Sequence, residues 1–208
     1  MSLPVERSPA VASHAAGNLP GDVARDVAAA QAGDAEAFAR LVNAHQALVL
    51  RLARGLAGRP EDAADLAQET FTRLYTSLPR FRFECAFSTW VYRIATNVGL
   101  DYVRRQRARR WLWHTAVEEG WEPPDTRAAM NPERHTLSGE IARRVQRALA
   151  ALPARQRMVF ELRHYQGLRL GLIAELLDTS EEVAKNALFR ATRKLRADLV
   201  DLLEGGKR

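Results

Sequence analysis

The chain has 208 residues, with 31 Lys and Arg against 25 Asp and Glu and a single cysteine; at roughly 100–200 residues per domain, that is one domain or two small ones. Hydrophobic residues at 47% and charged residues at 27% are the make-up of a folded globular protein and exclude wholesale disorder. One cysteine excludes a disulfide-stapled scaffold, no apolar window reaches the ~18 residues of a membrane span, and Glu6, Arg7, Asp22, Arg25 and Asp26 interrupt any signal-peptide core. The expectation is a cytoplasmic protein whose net charge of +6 permits a nucleic-acid partner without demanding one.

In chain order, residues 1–21 are rich in Ala, Pro, Ser and Gly without periodicity and read as a flexible tail. Helical pattern begins at Asp22. Gly33-Asp34 ends one short helix and caps the next, since an Asp carboxylate accepts from free N–H groups at a helix start. Phe38, Leu41, Val42, His45, Leu48, Val49 and Leu52 then form one apolar stripe. Pro60 suits the first turn of the next helix, which runs to about residue 77. Its buried stripe is Ala63, Ala67, Phe71, Leu74 and Leu78, and a second stripe carries Asp62, Asp65 and Glu69. Leu78-Pro79-Arg80 breaks the helix, a loop spans 81–87, and a third helix runs from about Ser88 to Arg110, roughly 33 Å long. Val91, Ile94, Ala95, Val98 and Tyr102 face inward there, with Arg93, Asn97, Asp101, Arg104 and Arg105 on the other side.

Residues 115–138 hold Gly120, Pro123-Pro124 and Asn131-Pro132 and read as a linker, although Trp111, Trp113 and Trp121 are odd there and at least one is expected to pack on a domain. From Gly139 the helical pattern returns and continues to about Leu203, leaving 204–208 as a tail. No alternating strand pattern occurs. The expected fold is all-α: a helical domain over 22–114, the linker, and a second helical domain over 139–203.

Ile173 to about Arg196 has the parts of a helix-turn-helix: a short apolar helix, a three-residue turn, and a longer helix with polar N-terminal residues. Thr179-Ser180-Glu181-Glu182 matches a capping box with Thr179 as the cap. Lys185, Asn186, Phe189 and Arg190 share one side of that helix; Lys and Arg suit guanine edges or phosphates and Asn can read adenine, whereas a solvated basic helix of a four-helix bundle is the plainer reading. Arg104 to Arg110 is the densest basic run. Phe81, Phe83, Phe87, Trp90 and Tyr92 lie close by in sequence, and charge beside aromatic faces is what single-stranded nucleic acid needs; two or three of the five aromatics are expected in the core. The acidic stripe would be repelled by phosphates, so it is plain surface or an interface for a basic partner.

Cys85 has neither a basic helix start nor a resolving partner and reads as inert. The five histidines are dispersed, His45 as a packed or half-exposed helix residue. No metal-ligand spacing, phosphate loop or catalytic triad appears, so no cofactor, metal, small-molecule substrate or enzymatic activity is expected.

The segments Asp65-Leu66-Ala67-Gln68-Glu69-Thr70-Phe71, Phe81-Arg82, Phe87 to Asn97, and Asp101-Tyr102-Val103-Arg104-Arg105 together resemble conserved region 2 of the extracytoplasmic-function (ECF) sigma factors. Leu152-Pro153-Ala154-Arg155-Gln156-Arg157-Met158-Val159-Phe160, with the later helix-turn-helix, resembles region 4. The resemblance spans about residues 25 to 203. It implies an initiation subunit of bacterial RNA polymerase that recognises and melts a −10 element through region 2 and binds a −35 element through region 4. Asp62, Asp65, Gln68 and Glu69 would dock on the β′ clamp helices, with the β flap as a further polymerase contact. Phe81, Phe83, Glu84, Phe87, Ser88, Thr89, Trp90, Arg93, Asn97, Arg104 and Arg105 would handle the −10 element, and Ser180, Lys185, Asn186, Phe189, Arg190 and Arg193 the −35 element. An anti-sigma factor is the implied regulator.

The two elements lie on the order of 50–60 Å apart, about one and a half turns of duplex. A linker over 115–138 reaches roughly 80 Å extended and roughly 25–30 Å as a coil, enough to bridge them when partly extended. Departures from the family pattern cluster in region 4. Asn186 and Ala187 replace the usual Ser and Arg, Gly171-Leu172 replaces acidic residues and would expose an extra leucine, and Asp178 takes a turn position where glycine is common. A stand-alone helix-turn-helix regulator, or a sigma mimic that titrates an anti-sigma factor, are the alternatives these departures leave open.

Overall fold

The structure is a computed structural model that describes residues 20–57, 59–117 and 137–200, with side chains over 21–57, 59–109 and 144–200. The readings made for the N-terminal tail to residue 19, for residues 118–136 and for the end of the chain, and the packing expected of Trp111, Trp113 and Trp121, lie outside these residues and side chains. The described residues form eight α-helices and no strand.

In the N-terminal bundle, α1 (Pro20–Gln31) gives way to α2 (Ala35–Leu56) at Gly33, and Asp34 caps α2 by accepting from the N–H groups of Glu36 and Ala37. Helix α3 (Pro60–Ser77) starts on its proline and tightens into a 3₁₀ turn over Leu78–Arg80. Helix α4 (Phe87–Val117) outruns the expected end at Arg110 because no Gly or Pro lies between Arg110 and Gly120. Leu41, Val49, Leu74, Leu78, Phe81, Phe87 and Val91 close a first core between α1, α2, α3 and the start of α4. Phe38 and Phe71, expected inside, are only partly buried at its edge, whereas His45 is buried and its Nδ1 lies 2.8 Å from the Leu41 carbonyl.

In the C-terminal bundle, α5 (Leu137–Ala151) packs on α8 (Glu181–Asp198) through Ala148, Leu149, Leu152, Ala191 and Leu195. Helix α6 (Ala154–Phe160) continues into a wide π turn over Glu161–Tyr165, closed by the Gln166 N–H on the Glu161 carbonyl and ended by Gly167 at φ +70°. The short α7 (Leu170–Leu176) leads through Asp178, at φ +48°, into α8. Asp fills this left-handed position because a short polar side chain tolerates it better than most.

Two expectations are corrected here. The cap of α8 is Ser180, not Thr179: the Ser180 Oγ accepts from the Val183 N–H at 3.3 Å, so Val183 stands where a box needs Glu or Gln, and Glu182 cannot reach back. Leu172 is not displayed to solvent but lies half-buried on the apolar core. The central finding is that this core is shared. Leu52, Leu56, Ala95 and Val98 of the first bundle and Met158, Val159, Leu162 and Ile173 of the second belong to one buried cluster.

Candidate nucleic-acid interface

The loop after α3 is built from the inside out. Phe81 and Phe87 are buried, and Trp90 packs on both with ring centroids 4.8 and 5.7 Å away. Gln31, at the end of α1, donates from its side-chain amide to the carbonyls of Leu78 and Phe81, both at 2.9 Å, and so pins the loop from the opposite side. On that base Phe83 sits at φ +61°, a left-handed conformation that an aromatic residue adopts only under constraint, with its ring half-exposed beside Phe81. The five aromatics thus divide as expected: two in the core, Trp90 and Tyr92 half-buried, Phe83 displayed.

Beside the loop lies a cleft of about 420 Å³ lined by Arg80, Phe81, Arg82, Glu84, Cys85, Trp90, Arg93 and Glu175. Three guanidiniums around an aromatic wall suit a polyanion with flat bases. Along α4, Ser88 and Asn97 are exposed, Thr89 is half-buried, and Arg104 and Arg105 project to solvent, Arg104 lying 3.6 Å from Asp101. The sequence reading missed Gln31 and Glu175, because neither belongs to a local pattern.

The acidic stripe of α3 is more constrained than its spacing suggests. Asp62 accepts from the Tyr102 hydroxyl at 3.1 Å and pairs with Arg59 at 3.2 Å. Glu69 pairs with Arg73 at 2.7 Å, and Arg73 also reaches Asp101 at 3.3 Å. The hydrogen bond to Glu69 is the main cause that raises the Arg73 pKa. Arg73 was legible, since Glu69 and Arg73 are an i,i+4 pair. Asp65 and Gln68 stand exposed between these pairs.

On α8, Lys185, Asn186, Phe189, Arg190 and Arg193 are all exposed on one face, while Ala184, Ala191 and Leu195 hold the opposite face in the core. Phe189 is 64% exposed, more than any other large hydrophobic side chain among the described residues. Ser180 serves the helix start itself, as its cap.

Between the two sites the bundles touch. Arg157, itself buried, donates to the Leu56 carbonyl at 2.6 Å, and Arg93 pairs with Glu175 at 3.1 Å. Glu161 is buried against Gly55; burial pushes its carboxyl up to about 7, against the hydrogen bond from Gln166 and the charge of Arg157. Among the described residues no group of three or more His, Cys, Asp or Glu could hold a metal ion, and no helix is long and apolar enough to cross a membrane.

Comparison with known proteins places these two sites in two family modules. The Sigma-70 region 2 family matches residues 41–109, and the Sigma-70, region 4 family matches residues 142–195. The chain is 32% identical over 173 residues to the ECF RNA polymerase sigma factor SigW of Bacillus subtilis, covering 82% of this chain and 92% of that one. It is 33% identical over 177 residues to an ECF RNA polymerase sigma-E factor of Haemophilus influenzae, with 83% and 93% covered. Among solved structures, CnrH in complex with the cytosolic domain of CnrY matches at a TM-score of 0.57 and 25% identity, over 87% of this chain and 98% of that one. The sigma factor RpoE of Bartonella quintana, solved with the anti-sigma factor NepR, matches in fold at a TM-score of 0.55 and 20% identity, over 78% and 96%.

Proposed function

The chain belongs to the ECF RNA polymerase sigma factors, and from that premise we propose that it binds core RNA polymerase and directs promoter-specific initiation through two separate DNA sites. The region 2 module carries the first. Asp65 and Gln68, flanked by the braced Asp62 and Glu69, form the surface for the β′ clamp helices, an acidic patch seeking a basic partner. The cleft beside Phe83 receives an unpaired base of the −10 element. Taking a base out of its stack costs a few kcal/mol, offset by ring contacts in the cleft and by polymerase binding. Arg93, Asn97, Arg104 and Arg105 on α4 follow the strand.

The region 4 module carries the second. Helix α8 enters the major groove of the −35 element, with Lys185, Asn186 and Arg190 at base edges and Arg193 on phosphate. Phe189 adds an apolar contact of the kind that reads a thymine methyl. The same module meets the β flap. CnrH was solved with a bound partner, and the present chain is held by a partner likewise, an anti-sigma factor. It works in the cytoplasm, where polymerase and chromosome are, and carries no catalytic step of its own.

The observation that supports this reading best is the pairing in one chain of an arginine-lined aromatic cleft with a helix whose exposed face is polar and basic. Its test is transcription in vitro with purified bacterial core polymerase on templates randomised in both elements. Start sites that depend on the added protein, enriched for two sequence blocks, are the expected result. Specific binding of the pure protein to intact duplex, without polymerase-dependent transcripts, would move the function to a stand-alone regulator.

A further inference from the structure

The loop that frames the cleft is tied to a residue far from it in sequence. Helix α1 ends at Gln31, and that end is fixed. The Gly33 N–H donates to the Ala30 carbonyl and the Asp34 N–H to the Ala29 carbonyl, with Gly33 at φ +97°. This is the paired closure that a glycine in the left-handed region permits. Val27 and Ala30 bury the preceding turn in the first core, and Arg40 on α2 donates twice to the Asp26 carboxylate, at 2.8 and 3.0 Å. Gln31 therefore meets the 3₁₀ turn over Leu78–Arg80 from a rigid base. Its side-chain nitrogen donates at 2.9 Å to the Leu78 carbonyl, at the start of that turn, and at 2.9 Å to the Phe81 carbonyl, just after it. An amide nitrogen carries two hydrogens and a carbonyl only accepts, so both donors are used and the orientation of the amide is settled.

We propose that Gln31 is a positioning residue for −10 recognition: by clamping these two carbonyls it fixes the loop that frames the cleft, and with it which base the cleft accepts. The proposal rests on the reading of the cleft as the −10 site. The Phe81 carbonyl belongs to the planar peptide unit that leads into Arg82. The clamp thus sets the direction in which the chain enters Arg82, Glu84 and Cys85, which line the cleft. Phe83, within that stretch, is held at φ +61°, a conformation that persists only where its surroundings over-determine it. Buried Phe81 and Phe87 anchor the two ends of the loop by their rings. Rings in a core fix position but leave the peptide planes between them free to turn, and the clamp removes that freedom at the first of them. A supporting contact of this kind decides how sharply a site discriminates. Gln31 lies outside residues 41–109, the match to the Sigma-70 region 2 family, so the −10 site of this chain extends into a helix beyond the matched module.

Three substitutions separate the clamp from the bulk of the side chain. Gln31→Met keeps the length and helix propensity without a donor, Gln31→Glu turns a carboxylate towards the two carbonyls, and Gln31→Lys restores donors on a flexible stem. Cys85, the single cysteine of the chain, is half-buried in the loop and reports its opening. In the full-length protein its rate of exchange with a nitrobenzoate disulfide reagent is expected to rise in Gln31→Met, to rise further in Gln31→Glu, and to return to the parent rate in Gln31→Lys. Transcription with core polymerase on templates randomised in both elements is expected to show the −10 preference flattened in the same order, with the −35 preference and core polymerase binding unchanged. For Gln31→Met each change is expected at about fivefold, the worth of one ordinary hydrogen bond. A residue that only stabilised the fold would lower output on every promoter alike and leave the preferred sequence as it was. Unchanged Cys85 rates in Gln31→Met and Gln31→Glu overturn the clamp, and a loosened loop with the parent's −10 preference overturns the positioning role. A Gln31→Lys protein that behaves like Gln31→Met overturns hydrogen bonding as the cause. A parent protein that yields no transcripts, or no −10 preference, overturns the reading of the cleft and this role with it, while the thiol rates still report whether Gln31 clamps the loop.

Discussion

The two surfaces proposed to face DNA are made in opposite ways. The proposed −10 cleft grows out of the core: Phe81 and Phe87 are buried, Trp90 packs on both, Gln31 ties the loop from behind, and Phe83 is held in a left-handed conformation on top. The reading face of α8 is a row of solvated side chains on a helix anchored from its other side by Ala184, Ala191 and Leu195. One surface is preorganised and inseparable from the fold, whereas the other can change letter by letter at no cost in stability. The departure at Asn186 falls on the second kind of surface, where sequence can drift while the fold stands, whereas Ala187 lies half-buried against the core.

The contrast is tested most severely by truncating an aromatic on each side. Phe81→Ala should destabilise the protein by about 3–5 kcal/mol, the range for emptying a buried phenylalanine site, read as a large drop in the midpoint of thermal or urea unfolding. Phe189→Ala should leave the midpoint within about 0.5 kcal/mol of the parent and change only the −35 sequences selected. Equal stability losses would erase the distinction. Asp65→Arg comes next. Because Asp65 is exposed, the variant should unfold like the parent, yet core polymerase binding should weaken by at least about thirtyfold through like-charge contact. Intact binding by the folded variant would remove this face from the docking account. Asn186→Ala should relax −35 selection at one position by about 1–3 kcal/mol while leaving the other positions alone.

The buried carboxyl of Glu161 makes a pH prediction. Unfolding would return it to water and its ordinary carboxyl range, whereas the folded protein holds it up to about 7. The folded form therefore binds the extra proton, and stability is lost as pH rises through about 7. The groups facing the carboxyl are Arg157, Gln166, Tyr165 and the Gly55 backbone. Between pH 6 and pH 8 the unfolding free energy should fall by about 1 kcal/mol through this group. In Glu161→Gln this slope should vanish; a slope that survives would place the proton elsewhere.

The sequence made the helices and the residues of both candidate sites legible where the signal was local. Gly33-Asp34, Pro60 and Leu78-Pro79-Arg80 each punctuate the chain at the right place, and the motifs over 65–105 and 152–196 sit on the helices they require. What stayed hidden was long-range. Gln31 bracing the loop, Glu175 over the cleft and Arg157 on the Leu56 carbonyl join residues 47, 82 and 101 positions apart. No periodicity encodes such pairs. The shared core was hidden for a related reason: Met158 and Leu162 belong to an ordinary apolar stripe, and a stripe says that a face is buried, not against which partner.

The smallest effect separates two neighbouring residues at the start of α8. A capping-box pattern assigns the cap to Thr179, while the structure gives it to Ser180, whose Oγ accepts from the Val183 N–H and whose φ of −81° and ψ of 155° are those of a cap. The helix it starts is the one that carries the proposed −35 face, so fraying there would blur the positions of Lys185 and Asn186 together. Ser180→Ala should cost about 1 kcal/mol in unfolding free energy and weaken −35 binding uniformly, without altering the preferred sequence. Thr179→Ala, one residue outside the helix, should do neither. The reverse order of effects would return the cap to Thr179 and make Glu182 its reciprocal partner.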